Sequence, residues 1–220
     1  MSNIYVLGTS HISIDSIREV KATFKEFDPD IIALELDPLR FQALLAKKQK
    51  RSFTKEIQFF GIKGFLLTLV LGYVEKKLGE KVKIKPGTEM LTAIKLAREN
   101  KKDIALIDQN IKLTIHNLSR IPFKEKAKVF FDILRAPFMQ KKKVQIDLTK
   151  VPKEEFIENI LDAVKIRYPS IYKALIGDRN KILAKNLNKL KKEKEGKKIL
   201  AIIGAGHKKE VERLIKDEHK

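Results

Sequence analysis

The sequence predicts an α/β fold: a central, mainly parallel sheet with flanking helices and a helical cap over the carboxyl edge of the strands. Short apolar runs are typical of strands that are covered on both faces. Stretches with helical periodicity separate these runs, as in parallel sheets built from right-handed crossovers. Polar residues, two histidines among them, follow directly after the runs. The four predicted strands span residues 4–7, 31–36, 103–108 and 199–203.

Residue patterns typical of helices lie between the predicted strands in the first half of the chain. Ser13 is placed to cap a helix whose apolar residues recur at helical spacing, and Asp28-Pro29-Asp30 interrupts that pattern. Pro38 suits the first turn of a second helix. After Pro86-Gly87, a further helix is predicted over residues 88–99.

The second half of the chain is richer in helix. The periodicity predicts two or three helices between residues 111 and 141. It also predicts a pair over residues 153–194, interrupted near Tyr168-Pro169, because a proline disfavours helical conformation in the residue before it. A short helix after His207 closes the chain.

A length of 220 residues suits one domain and is enough to bury a core. The regions at about 38–100 and 111–195 are longer than a minimal crossover requires. We therefore predict a single domain over residues 1–220, with these regions as helical insertions that form the cap.

The composition excludes disulfides and thiolate metal sites, because the chain contains no cysteine. No signal-peptide pattern precedes the first strand. Both observations favour a cytoplasmic location.

The formal net charge of +19 is concentrated in two lysine-rich regions. Residues 1–46 hold four basic and seven acidic side chains, whereas residues 47–85 hold eleven basic and three acidic ones. Residues 181–198 hold eight basic and two acidic side chains. Lysine runs usually cover a solvated face. Since no RNP-type, zinc-finger or glycine-rich phosphate motif accompanies them, we expect no specific nucleic-acid partner.

Residues 59–74 are the most hydrophobic stretch of the sequence. They are too few, and interrupted by Lys63, to predict a membrane span. A buried helix or a helix that forms a homodimer is one interpretation. A segment that lies on a membrane surface between flanking lysines is the other.

Polar residues follow all four predicted strands. The first and fourth strands run into the same pattern, Gly8-Thr9-Ser10-His11 and Gly204-Ala205-Gly206-His207. Glu35 and Asp37 end the second strand, and Asp108 ends the third. Because the carboxyl ends of parallel strands meet at one edge, where ligands bind, we expect these side chains to lie together.

Glu35 is the most informative of these residues, since a carboxylate inside an apolar strand is costly unless it is paired or bound to a metal. One interpretation is a buried salt bridge to Arg40 or Arg179. The other is a divalent metal site formed by His11, His207 and Glu35. Two imidazoles and a carboxylate, with a position left for water, suit hydrolytic Mn²⁺, Co²⁺ or Zn²⁺.

The glycines Gly8 and Gly204 are predicted to let the backbone turn sharply out of each strand and to aim each histidine over the sheet edge. Both histidines are expected in loops outside the core. Replacing either by alanine should then abolish metal binding and leave the fold intact.

The motifs also occur in a particular order along the chain. They are Gly8-Thr9-Ser10-His11, Pro29-Asp30-Ile31-Ile32-Ala33-Leu34-Glu35-Leu36-Asp37 with Arg40, Pro86-Gly87-Thr88-Glu89-Met90, Leu106-Ile107-Asp108, Asp178-Arg179-Asn180 and Ile203-Gly204-Ala205-Gly206-His207. This ordered set, which covers nearly the whole chain, resembles the TraB/PrgY/GumN family, related to the TIKI proteins. Two features depart from the family pattern. Asp108 is followed by Gln109-Asn110 rather than by Arg-Asp, and the chain stops soon after His207, where many archaeal-type members continue into membrane helices.

The resemblance implies a metal-dependent, peptidase-like hydrolase with a fold similar to erythromycin-esterase-type and ChaN-type proteins. The family also includes proteins that shut down peptide pheromone signalling. His11, Glu35 and His207 inherit the site role most directly, and Glu89, Asp108 and Arg179 less directly. Glu35 or Glu89 would take a proton from water, and Arg179 would stabilise the oxyanion.

Three classes of function follow from these patterns. The first is a hydrolase of peptide or small amide substrates, either with a divalent metal or with one histidine as a metal-free general base. The second is a protein that binds and sequesters a peptide without cleaving it. The third is a basic adaptor at a membrane surface, associated through residues 59–74 or through a part that this chain lacks.

Overall fold

The computed structural model describes residues 3–10, 13–46, 87–135 and 154–217. Within these ranges, four parallel strands form one sheet in the order β1-β4-β2-β3. The strands are β1 (Ile4–Thr9), β2 (Ile31–Leu34), β3 (Asp103–Leu106) and β4 (Ile199–Gly204). The predicted α/β class and the existence of all four strands are confirmed. Residues 59–74 and His11 lie outside the described ranges.

Helices occupy the crossovers and the region beyond the sheet. They are α1 (Ile14–Phe27), α2 (Pro38–Leu45), α3 (Thr88–Glu99), α4 (Ile111–Ser119), α5 (Phe123–Arg135), α6 (Glu154–Arg167), α7 (Pro169–Tyr172), a π-helical turn (Lys173–Gly177), α8 (Asp178–Glu193) and α9 (Ala205–Asp217). Ser13 caps α1 as predicted, since its side chain accepts a hydrogen bond from the backbone of Asp15. In the described part of the chain, no helix is long and apolar enough to cross a bilayer.

The sheet is covered on both faces. Helices α1 and α3 pack on one face, against strand residues such as Ile32, Leu34 and Ile202. Helices α8 and α9 pack on the other face, against Ala33 and Ile203. Because side chains alternate along a strand, Glu35 continues the face of Ala33 and is directed toward α8 and α9.

A small helical layer extends past the carboxyl edge of the sheet. Helix α8 begins at that edge and ends near the amino edge, where Lys194 lines a surface cleft together with Asn3. The π-helical turn and α7 lead directly into the first turn of α8 at this edge. There Ala174 packs with Leu118 and Ile121, beside α4. The predicted helical cap is therefore present.

Some local predictions were wrong. The third strand ends at Leu106 rather than at Asp108. The second strand ends at Leu34, so Glu35 lies just past it rather than inside it. His207 is not in a loop outside the core: it lies in the first turn of α9 and is only 5% exposed. Strand β4 ends at Gly204 and α9 begins at the next residue, Ala205, so no loop separates them.

Candidate functional site

The carboxyl edge of the sheet gathers charged side chains from four places in the chain. Glu35 follows β2, and Asp108 lies two residues after β3. Arg179 and His207 come from the first turns of α8 and α9. The backbone registers place Leu34 level with both Leu106 and Ile202, so the ends of β2, β3 and β4 lie side by side. Three of the four residues predicted to meet at this edge, Glu35, Asp108 and His207, lie there, and the fourth, His11, is outside the described ranges.

Arg179 joins the two carboxylates. Its Nη2 donates to Glu35 Oε1 and, at 2.6 Å, to Asp108 Oδ2, while its Nε donates to Asp108 Oδ1 at 3.2 Å. Arg40 donates a further hydrogen bond from Nη1 to Asp108 Oδ2 at 3.0 Å. Burial alone would lower the pKa of Arg179, but the charge of Glu35 and the bonds to Asp108 outweigh it and raise the pKa above its usual value. The guanidinium is therefore a permanent cation at the sheet edge.

Glu35 is held at both oxygens. Oε1 accepts from Arg179, and Oε2 accepts from the backbone N–H of Gly204 at 2.5 Å. That N–H lies at the start of α9, where the partial positive charge of a helix favours a carboxylate. The side chain of Glu35 is 3% exposed. Of the two interpretations of Glu35, a buried salt bridge with Arg179 is present, whereas Arg40 pairs with Asp108.

His207 faces Glu35 with one ring nitrogen and Asn180 with the other. Nδ1 lies 2.6 Å from Oδ1 of Asn180, and Nε2 lies 3.5 Å from Oε1 of Glu35. Asn180 is 2% exposed and belongs to the buried stripe of α8 that also contains Leu183 and Ala184. Packing between α8 and α9 therefore sets the position of the imidazole.

The remaining predicted site residues have separate structural roles. Asp37 caps α2 by accepting from the backbone of Leu39 at 2.9 Å, and its Oδ2 is buried with no hydrogen-bond partner among the described residues. Gly8 is not at a sharp turn: a Cβ added there would lie 3.2 Å from the Cα of Ala205, so the glycine permits close approach of α9. Gly204 is still part of β4. Glu89 is buried in the first turn of α3, on the sheet face opposite α8 and α9.

The predicted metal ligands are only partly described. His11 lies outside the described ranges, although its neighbour Ser10 is fixed by a 2.8 Å hydrogen bond from its N–H to Ser16 Oγ. Within those ranges, no group of three or more His, Asp or Glu side chains is arranged to hold a metal ion. His207 and Glu35 are thus two adjacent candidate donors.

Asn180 is a site residue that the sequence patterns do not predict. In its segment, Asp178-Arg179-Asn180, the family resemblance implies a role for Arg179 only. The turn of π-helix over Lys173–Gly177 comes directly before this segment, and such turns are frequent at functional sites. The available signal was a polar residue next to Arg179 that continues the helical spacing of Leu183, Ala184 and Leu187.

Comparisons with known proteins identify the family of this chain and several relatives. The family model described as the TraB/PrgY/gumN family matches residues 1–220. An uncharacterised protein of Methanocaldococcus jannaschii is 35% identical over 97% of this chain and 53% of its own length. TraB domain-containing proteins of Homo sapiens and Bos taurus are 32% and 30% identical over 44% of this chain and 28% of their own lengths. The chain thus spans about half the length of the archaeal relative.

Proposed function

The chain belongs to the TraB/PrgY/gumN family, and we propose that it is a hydrolase of peptide or amide bonds in which His207 is the general base. The choice of a hydrolase with His207 as its base rests on the charged side chains that meet at the carboxyl edge of the sheet. Open edges of parallel sheets are where α/β proteins bind ligands, and this edge presents an imidazole, a guanidinium and two carboxylates.

The observation that carries the proposal is the orientation of His207. Asn180 engages Nδ1 at 2.6 Å, and Glu35 Oε1 lies 3.5 Å from Nε2. An imidazole held by an oxygen at one nitrogen and facing a carboxylate at the other is suited to accept a proton. The nearby carboxylate would stabilise the imidazolium that forms.

In the proposed reaction, a water oxygen attacks the carbonyl carbon of a peptide or small amide while Nε2 takes a proton from that water. The proton then passes to the leaving nitrogen as the C–N bond breaks, giving an acid and an amine. Arg179 supplies positive charge for the oxyanion. Its Nε and Nη2 are committed to carboxylates, but Nη1 has no hydrogen-bond partner among the described residues.

The described residues do not fit a metal centre on their own. Both oxygens of Glu35 and both of Asp108 already accept hydrogen bonds. The charges of Arg40 and Arg179 balance the two carboxylates. The proposed steps therefore use no metal, and the predicted Mn²⁺, Co²⁺ or Zn²⁺ site depends on His11.

The test uses the 220-residue chain with a set of fluorescence-quenched peptides and chromogenic amides. We expect cleavage by the wild type that persists after dialysis against EDTA and is absent from a His207→Gln preparation. His116→Gln is the matched control, because His116 is exposed on α4. Cleavage that returns only with Mn²⁺, Co²⁺ or Zn²⁺ would instead make His207 a metal ligand. A wild type that cleaves nothing in the set would count against a hydrolase.

Peptide sequestration is the second candidate. It is favoured by the balanced charges of Glu35, Asp108, Arg40 and Arg179, which satisfy one another without requiring a reaction. Calorimetry on the same peptide set distinguishes it: heat of binding with intact peptide recovered afterwards indicates a binder.

A further inference from the structure

Helix α5 turns three aromatic side chains away from the protein. Phe123, Phe130 and Phe131 are 84%, 59% and 57% exposed, and their spacing places them on one side of the helix. The rings of Phe130 and Phe131 pack edge-to-face, with centroids 5.9 Å apart. Helices of globular proteins normally bury such an apolar side. We call these three side chains the aromatic stripe.

The opposite side of α5 attaches the helix to the protein through polar contacts. Glu125 accepts a hydrogen bond from the backbone N–H of Ile171 in α7 at 2.9 Å. Asp132 accepts from Arg167 Nε at 2.8 Å and from the hydroxyl of Tyr168. These contacts fix which side of α5 faces outward.

The charges of α5 are divided between the same two sides. Glu125 and Asp132 are the only acidic residues in its sequence, and both are engaged on the attached side. Lys124, Lys126 and Arg135 are exposed. Helical geometry places Lys126 along one border of the aromatic stripe, and Lys124 and Arg135 along the other. Outward aromatic rings between basic side chains are suited to an anionic membrane surface, which attracts the bases and accepts the rings.

We propose that this side of α5 docks on an anionic lipid bilayer, with the aromatic stripe in the interface and the basic side chains at the level of the phosphates. A second copy of the chain fits this side less well. Two stripes packed face to face would bring Lys124 and Lys126 of both copies together, and α5 has no carboxylate there to balance them. The proposal is independent of the proposed hydrolase, because none of the residues assigned to that reaction lies on α5.

The first experiment is co-sedimentation of the 220-residue chain with vesicles of phosphatidylglycerol and phosphatidylcholine, beside vesicles of phosphatidylcholine alone. We expect binding to the mixed vesicles only. Phe130→Ala combined with Phe131→Ala removes aromatic area without changing the charge, so the affinity should fall at least about 10-fold. Ile14→Ala combined with Leu91→Ala is the matched control, because these apolar side chains are exposed on α1 and α3. The control should keep the wild-type affinity.

A second pair of variants separates a docking surface from attraction of the whole +19 chain to anionic lipid. Lys124→Gln combined with Lys126→Gln should weaken binding to the mixed vesicles by about 10-fold. Lys21→Gln combined with Lys25→Gln removes the same charge from exposed positions on α1 and should have a smaller effect.

Fluorescence reports whether the stripe itself enters the interface. The chain contains no tryptophan, so Phe130→Trp introduces a single indole reporter. Its emission should move to shorter wavelength when the mixed vesicles are added and stay unchanged with phosphatidylcholine alone.

Four results would overturn the proposal. The wild type could bind both kinds of vesicle equally or neither, or the double alanine variant of Phe130 and Phe131 could keep the wild-type affinity. The two lysine pairs could show equal losses, which would indicate attraction by the overall charge. Emission of the Phe130→Trp variant could already lie at short wavelength without vesicles. In that case another part of the chain covers the stripe, or a second copy does if the shift depends on protein concentration.

Discussion

Arg179 meets Asp108 side-on, with Nε at 3.2 Å from Oδ1 and Nη2 at 2.6 Å from Oδ2. The same Nη2 also bonds to Glu35. One side chain from α8 therefore ties together the ends of β2 and β3, which are neighbours in the sheet but distant in the sequence. These hydrogen bonds at the carboxyl edge therefore contribute to the stability of the fold as well as forming a candidate site.

Replacing Arg179 by Met should destabilise the protein by about 3–5 kcal/mol, because it removes the guanidinium paired with buried Glu35 and leaves Asp108 with one guanidinium partner, Arg40, among the described residues. Urea unfolding at pH 7 measures the loss. Arg18→Met is the control: Arg18 makes an exposed ion pair with Asp15, for which a loss of about 0–1 kcal/mol is expected. Equal losses in both variants would mean that the buried ion pairs of Arg179 stabilise the protein no more than the exposed pair of Arg18 does.

Glu35→Gln should destabilise by less, about 1–3 kcal/mol, since the amide weakens a charged hydrogen bond but Arg179 keeps Asp108 as a partner. An unpaired buried carboxylate would instead make this substitution stabilising. The ion pair with Arg179 and the hydrogen bond from Gly204 remove that possibility. A higher urea midpoint for Glu35→Gln would contradict the described pairing.

Asp132 should make stability depend on pH in the acid range. Hydrogen bonds from Arg167 and Tyr168 lower its pKa from 3.8 to about 2. A lowered pKa adds stability above the unfolded-state value, and that stability is lost as the pH falls through the folded-state value. Wild type should therefore exceed Asp132→Asn in stability at pH 6, and the difference should shrink between pH 4 and 2. A difference in urea midpoint that stays constant down to pH 2 would contradict this.

Asn188→Leu should raise stability by about 1 kcal/mol. Both amide atoms of Asn188 are buried without a hydrogen-bond partner among the described residues, and an unsatisfied buried group is costly. Asn186→Leu is the matched control on the same helix, because the Nδ2 of Asn186 donates to the carbonyl of Ile107 at 2.9 Å. The melting temperature should rise for Asn188→Leu and fall for Asn186→Leu. A lower melting temperature for Asn188→Leu would indicate an unrecognised partner.

Local patterns were enough to predict the strands, the cap at Ser13 and the edge where Glu35, Asp108 and His207 meet. They could not predict that His207 would begin a helix, because a Gly-x-x-His pattern fits a loop equally well. They also could not show why position 8 is a glycine, because the close approach of Ala205 comes from a distant part of the chain. The contact between Asn180 and His207 depends on how α8 packs against α9, and no spacing along the sequence encodes that packing.

Whether His207 is the reacting base is measured most directly by kcat/KM on a cleaved peptide for His207→Gln beside His116→Gln. We expect a loss of about 10²–10⁴-fold for His207→Gln, the usual contribution of a general base, and no loss for His116→Gln. Folded His207→Gln that cleaves the peptide at the wild-type rate would contradict it.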